Sequence, residues 1–229
     1  MSYAFTGYLW PALISSVLTA SLAWYAWRHR EVAGARPFAL GCLFAAAWSL
    51  GALFEIAAQD ADTKVFWLRF LTVWQLPMVT AATFFLLEYA GLRRKLSARL
   101  LALLWVPPIL FAIVIATDHL HHLAWTAFPL VGDSIAANRG LTTNIVLAYS
   151  YLVALFNIGV LVWLFVTSPR HRWPAGLLIA GQVGARTVFE LGTRSGVIPQ
   201  VGMDPVVLLV LFGLYGVALF RFHVFDPVP

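Results

Sequence analysis

Charged residues are scarce in this chain, lysine is nearly absent and cysteine occurs once. Asp, Glu, Lys and Arg make up 11% of the 229 residues, against roughly 25% in a soluble domain, whose surface must face water. That excludes a water-soluble globule, and most of the surface must face lipid. The lysines are Lys64 and Lys95. A retinal protein needs a Schiff-base lysine in its last helix, and the run from Val206 to Phe222 has none, which excludes that class. Cys42, alone inside an apolar run, can form no intramolecular disulfide and fits a small buried hydrophobe. Gly/Ser linkers and low-complexity tracts are missing, so no second soluble domain is expected. The net charge of +5 comes without a basic cluster interleaved with aromatics, which argues against nucleic acid as a partner.

What the chain has instead is long apolar runs. A span needs about 20 mainly apolar residues, and seven stretches qualify, at about 8–27, 38–58, 66–90, 97–117, 142–167, 174–193 and 204–222. The first is too long for a signal-peptide core and lacks a cationic segment before it, so it reads as a retained span. Connections are short except at roughly 118–141. Arg28, Arg30, Arg36, Arg93, Arg94, Lys95, Arg99, Arg170, Arg172 and Arg221 fall on one side of this topology; Lys64, Arg139 and Arg194 fall on the other. Basic residues collect in cytoplasmic loops. The sequence therefore predicts one all-α domain over residues 1–229, a bundle of seven transmembrane helices with its N-terminus outside and its C-terminus in the cytoplasm. Trp10, Trp67, Trp105, Trp125 and Trp173 lie near span ends or in the long connection and read mostly as interfacial anchors. Pro77, Pro107 and Pro108 fall inside spans, where proline kinks a helix.

Polar residues within spans need partners or a cavity, since a charge in hydrocarbon costs at least roughly 2.5–3.5 kcal/mol on insertion scales. In the sixth span Gln182, Arg186, Glu190 and Thr193 share one stripe by helical spacing. Arg69, Thr72, Thr80 and Thr83 mark a similar stripe on the third. Glu55 closes a face of the second, and Asp118, Asn144 and Asp204 fall at the same end. Two readings follow. One is a polar ligand pocket open to the outside, built from Glu55, Arg69, Arg186 and Glu190, with Trp74, Gln75 and Asn144 as walls and Gln182 and Asp204 nearby. The other is a structural ion-pair network, Arg186 with Glu190 and Glu55 with Arg69. Glu88, at the opposite end of its span, is expected to pair with Arg93 or Arg94. His119, His121 and His122 form an H-x-H-H cluster beside Asp118. Adjacent imidazoles can bind Zn or Cu, but the spacing matches no established site and interfacial histidines are the plainer reading, so no metal or other cofactor is expected.

With these features in view, the chain resembles the N-terminal seven-transmembrane sensor region of membrane histidine kinases. The third span, Trp67 to Gly91, is similar to the family's W-x-R…P…F-x-L-x-Y-x-G pattern. Pro107 to Trp125 is similar to a proline followed by T-[ND]-x-x-H-x-L-W. Gly202–Pro205 reads G-M-D-P, and Phe220–Pro229 looks like the junction into a cytoplasmic PAS or kinase module. Arg69, His122 and Asp204 match recurrent polar positions of the family, whereas Arg186 and Glu190 depart from it. The resemblance implies a receptor in the bacterial inner membrane for a small-molecule or lipid ligand or a membrane state. It would act as a homodimer on an effector beyond Pro229. No phosphoacceptor H-box, ATP-lid motif or Walker-type motif occurs in the chain, so it is not expected to be an enzyme by itself. A small-solute transporter is the first alternative, though no repeat relates the first and last three spans. An intramembrane hydrolase or metalloenzyme using Asp118 and the three histidines is the second, though no nucleophile–base pair is recognisable.

Overall fold

A computed structural model describes residues 2–131, 134–135, 137–169, 172–184, 187, 191 and 204–222. Apolar sequence without hydrogen-bonding side chains must satisfy its backbone internally, and in lipid a helix does so within one segment. The elements are α1 (Leu9–Arg28), α2 (Ala35–Ala57), α3 (Ala61–Tyr89), α4 (Ala98–Leu103), α5 (Val106–Ala116), the one-turn α6 (Asp118–His121), α7 (Leu141–Thr167), α8 (Arg172–Ile179) and α9 (Asp204–Phe222). Five stretches are long and apolar enough to cross a membrane: α1, α2, α3, Ala98–Ala116 and α7. They coincide with the first five spans read from sequence. The sixth predicted span is described as α8 followed by a turn of π-helix over Ala180–Gly184, and its continuation through Arg186 and Glu190 lies outside the described residues. α9 occupies the seventh and contains a shorter apolar stretch, Pro205–Tyr215.

Helix ends follow local chemistry. Asp60 caps α3 by accepting the Thr63 N–H at 2.9 Å, so α3 starts five residues before the predicted span and carries Lys64 in its first turns, where Lys64 is buried. Lys64 is thus a helix residue and not a loop residue. α2 starts at Gly34, whose φ of +88° is a conformation that glycine adopts without a Cβ clash. The Gly34 N–H donates to the Glu88 carboxylate at 2.8 Å, and Arg93 pairs with the same group, as the sequence suggested. The fourth span is not one straight helix. It breaks at Leu104–Trp105, and α5 restarts with Pro107 and Pro108 in its first turn, where a missing N–H costs no helical bond. α3, by contrast, runs through Pro77.

α2 packs between α1 and α3; α5 and α7 pack on α3, and α9 packs on α1 and α8. Residues of α1, α2, α3, α7, α8 and α9 share one core that includes Cys42, Trp48, Leu86, Leu161 and Tyr215. Close approach is purchased by small residues where lipid offers no hydrophobic drive. A Cβ on Gly51 of α2 would lie 2.8 Å from Phe70 and 2.9 Å from the Leu71 side chain of α3. Between α1 and α2 the Ser15 and Ser49 hydroxyls meet at 3.0 Å, and Ser16 donates to the Ala46 carbonyl at 3.2 Å.

The long connection after α5 is ordered. α6 ends at His122, in the left-handed region at φ 51°. Two short antiparallel ladders follow, Trp125–Ala127 with Asn138–Arg139 and Leu130–Val131 with Ser134–Ile135. This hairpin, the α1 N-terminus and the α2–α3 turn lie at one end of the bundle, called here the hairpin end.

Candidate ligand-binding site at the hairpin end

At the hairpin end the structure joins two groups that the sequence left apart. Arg69 of α3 meets Asp118, the first residue of α6, with Nη2 3.6 Å from Oδ2. The ion-pair reading set Glu55 beside Arg69. The structure places Asp118 beside Arg69 and Lys64 at the α2 C-terminus, where its ammonium donates to the Glu55 carbonyl oxygen at 3.1 Å. One helical turn of extra α3 carries Lys64 there, while Arg69, five residues on, points round toward α6.

Asp118 is fully buried and Arg69 has 31% of its side chain exposed. Asp118 Oδ1 accepts the Ala124 N–H at 2.8 Å, which ties the carboxylate to the chain entering the hairpin. Its other oxygen has no hydrogen-bond partner among the described residues, and neither does Nε of Arg69. The guanidinium carbon lies 5.5 Å from the centre of the Phe128 ring, a cation–π distance. Ala124 belongs with Leu76, Phe111, Ile115 and Trp125 to a second apolar core, against which Phe128 packs. Trp125 is 4% exposed; it is a core residue of the hairpin and not the interfacial anchor expected. Exposed Trp10 and Trp173 keep that reading.

The hairpin is fastened to the helices by its backbone. Gly140 donates to the Ala124 carbonyl at 2.8 Å, Thr142 to Leu123 at 3.1 Å, and the Thr143 hydroxyl to Ala124 at 2.5 Å. On the other flank, the segment before α1 lies along the α2–α3 turn. Ala4 donates to Ala57, Gln59 to Ser2, and the Trp67 indole N–H to the Tyr3 hydroxyl at 3.1 Å. Phe54 stacks on Trp67 with ring centres 4.6 Å apart. The Ser2 N–H also reaches Asp60. Hydrogen bonds from Thr63, with a contribution from Ser2, hold the Asp60 carboxyl at about 2.

The other predicted site residues that are described sit on several elements. Trp74 faces α2, stacked on Phe44 at 5.8 Å, with its indole N–H buried and unpartnered among the described residues. Gln75 and Asn144 are exposed. Gln182, in the π-helical turn, donates to the Tyr215 hydroxyl of α9 at 2.9 Å. Arg186 and Glu190 lie outside the described residues. Asp204 opens α9, and its side chain is not among those described. Of the threonine stripe, Thr72 and Thr83 donate their hydroxyls to carbonyls one turn back in α3, a local bond common for threonine in helices.

His121 is held within its own turn. The Leu123 N–H donates to its Nδ1 at 3.1 Å, and Nε2 lies 3.0 Å from the Thr117 hydroxyl. A backbone donor on Nδ1 fixes the Nε2–H tautomer, so both ring nitrogens are engaged. His119 and His122 are exposed. Among the described residues no group of three His, Cys, Asp or Glu comes close enough to hold a metal. What sequence reasoning missed was the Arg69–Asp118 pairing. Its one available signal was that Asp118 directly follows the fourth predicted span, at the depth of Arg69.

Apolar helices of membrane-spanning length, packed through small residues and a buried ion pair, define a multi-pass helical membrane protein. The family described as the N-terminal 7TM region of histidine kinase matches residues 11–229, and the chain belongs to that family. The 7TM region of histidine kinases is a sensor domain and is not itself catalytic. No curated protein and no solved structure matches it.

Proposed function

We propose that the chain is the input domain of a two-component-type sensor in the inner membrane. In this reading all seven spans cross, the N-terminus and the hairpin end face outside, and α9 delivers its C-terminal end to the cytoplasm. A kinase or PAS module following Pro229 receives the signal, in a homodimer. A small ligand or membrane state favours one packing of the bundle and shifts the population by its differential affinity for the two packings. The observation that carries the reading is the Arg69–Asp118 pair. In a chain of this family, it gives a stimulus at the hairpin end a contact it can strengthen or break. Arg186 and Glu190 are proposed to complete that end. The Gln182–Tyr215 hydrogen bond supports a relay, since it couples the sixth span to α9.

Two measurements test this. In a Cys42→Ala background, a membrane-impermeant maleimide should label Thr126→Cys in whole cells and leave Arg94→Cys unlabelled until the cells are opened. The reverse pattern overturns the topology. In the full-length kinase reconstituted in liposomes, Arg69→Gln, Arg186→Ala and Glu190→Ala should each change the stimulus dependence of autophosphorylation at unchanged expression. Identical responses in all three remove the hairpin end as the input.

A further inference from the structure

Arg69 is an arginine with unused donors. A guanidinium presents five N–H groups in a planar fork suited to carboxylates. Here, among the described residues, its contacts are an ion pair at 3.6 Å and an aromatic face at 5.5 Å, both beyond hydrogen-bond distance. The opposing Asp118 oxygen is equally without a hydrogen bond. A buried polar group left this way is destabilising, so the arrangement holds hydrogen-bonding capacity in reserve at an apolar location.

The exposures say from which side that capacity is reached. Asp118 is sealed and Arg69 is about one-third open, so a ligand meets the cation and not the carboxylate. The group it presents must therefore be anionic. Its charge must also be small, because the buried Asp118 carboxylate lies behind the guanidinium and repels a dianion more strongly than a monoanion. Its body is expected to be apolar, since the Phe128 ring beside the guanidinium packs against the apolar core of Leu76, Phe111 and Trp125.

We infer that Arg69 is a recognition site for a monocarboxylate carried on an apolar body, which competes with Asp118 for the guanidinium fork. Binding loosens Asp118 from α3 and so loosens the α6–hairpin segment that Asp118 holds through the Ala124 N–H. The inference rests on the reading of the hairpin end as the input and names its ligand class. A carboxylate could arrive from water or from the membrane, and chain length separates the two sources.

The test uses purified protein in nanodiscs of neutral phosphatidylcholine, with radiolabelled butyrate and octanoate as probes and octanol as the uncharged competitor. Wild type should bind octanoate saturably, and octanol should not displace it. Butyrate binding of equal strength assigns the source to water; preference for octanoate assigns it to the membrane. Asp118→Asn keeps an oxygen for the Ala124 N–H and removes the competing charge, so it should tighten carboxylate binding by about tenfold. Arg69→Lys keeps the charge without the fork and should weaken it by a similar factor. A gain in affinity cannot come from misfolding, so the Asp118→Asn arm decides the matter even if Arg69 variants fold poorly. Absence of saturable binding in both wild type and Asp118→Asn overturns the inference, as does weaker binding in Asp118→Asn. If Arg69→Gln still alters kinase output while no carboxylate binds, the ligand class falls and the sensor reading stands. Carboxylate binding with unaltered output in that variant removes the sensor reading of this end and keeps the site.

Discussion

Removing the two members of the Arg69–Asp118 pair should have unequal effects. At 3.6 Å and an effective dielectric near 20, the gross attraction between unit charges is about 4–5 kcal/mol. Arg69→Met deletes the partner of a carboxylate that is fully buried and leaves it the Ala124 N–H alone. Stranding a buried charge in this way costs about 3–5 kcal/mol. Asp118→Asn strands instead an arginine whose side chain is 31% exposed, which interfacial water can solvate, and it preserves an acceptor for Ala124. Its cost should be about 1 kcal/mol, as for screened pairs. The double variant carries neither charge and should be more stable than Arg69→Met alone, a coupling of about 1–3 kcal/mol. Unfolding by SDS in mixed micelles at neutral pH, followed by tryptophan fluorescence, measures all three. The reasoning is refuted if Asp118→Asn costs as much as Arg69→Met, or if the two substitutions simply add.

Three further outcomes are expected. Asp60 should titrate at about 2, and because this lies below the ordinary carboxylate value of 3.8, the stabilisation of the α3 start is complete above that value and is lost as pH falls toward 2; NMR titration of the Asp60 carboxyl and exchange of the Thr63 amide report it, and an ordinary value refutes it. Gly51→Val forces β-branched bulk into a position where even a Cβ lies 2.8 Å from Phe70, and should lower stability by about 1–3 kcal/mol in the same SDS titration. Tyr215→Phe removes the acceptor of Gln182 in the core that also holds fully buried Cys42, and should speed alkylation of this single cysteine by a membrane-permeant maleimide severalfold; an unchanged rate shows that the bond does not hold α9 in place.

The helices were legible because their signal is redundant. Some twenty apolar residues in a row specify a membrane helix whatever the order within the run, and the first five segments appear where the hydropathy places them. Boundaries were less legible where one residue decides them. Asp60 at the N-cap extends α3 past its apolar run to include Lys64, and the Pro107–Pro108 pair divides the fourth span at Trp105. The site was legible as a depth and not as a set of contacts. Arg69 was singled out because a charge in hydrocarbon needs a partner, but the choice between Glu55 and Asp118 depends on the rotation of α3 and on the path of α6. Helical periodicity within one segment carries neither. The hairpin left the weakest trace, since its strands are two or three residues long and too short to show alternation.

Under the proposed relay, a shift of Arg69 has to reach α9 through packed helices. α3 packs on α2, α2 on α1, and α9 against α1. The α2–α3 contact is close at Gly51, and the α1–α2 contact is pinned by the Ser15–Ser49 and Ser16–Ala46 hydrogen bonds. Interfaces this close transmit displacement as a layer, because a close-packed interior has no soft direction in which to absorb it. On that relay the first three helices would move together, with the hairpin end as one point of purchase and α9 as a load carried on α1. The Gln182–Tyr215 bond restrains α9 from the other flank. Its site in a π-helical turn, an irregularity frequent at functional sites, would make the sixth span the compliant partner and the three-helix layer the rigid one. A ligand that frees Arg69 from Asp118 would then move α9 by tilting a stiff layer against a yielding helix, which requires no chain of side chains running the length of the membrane.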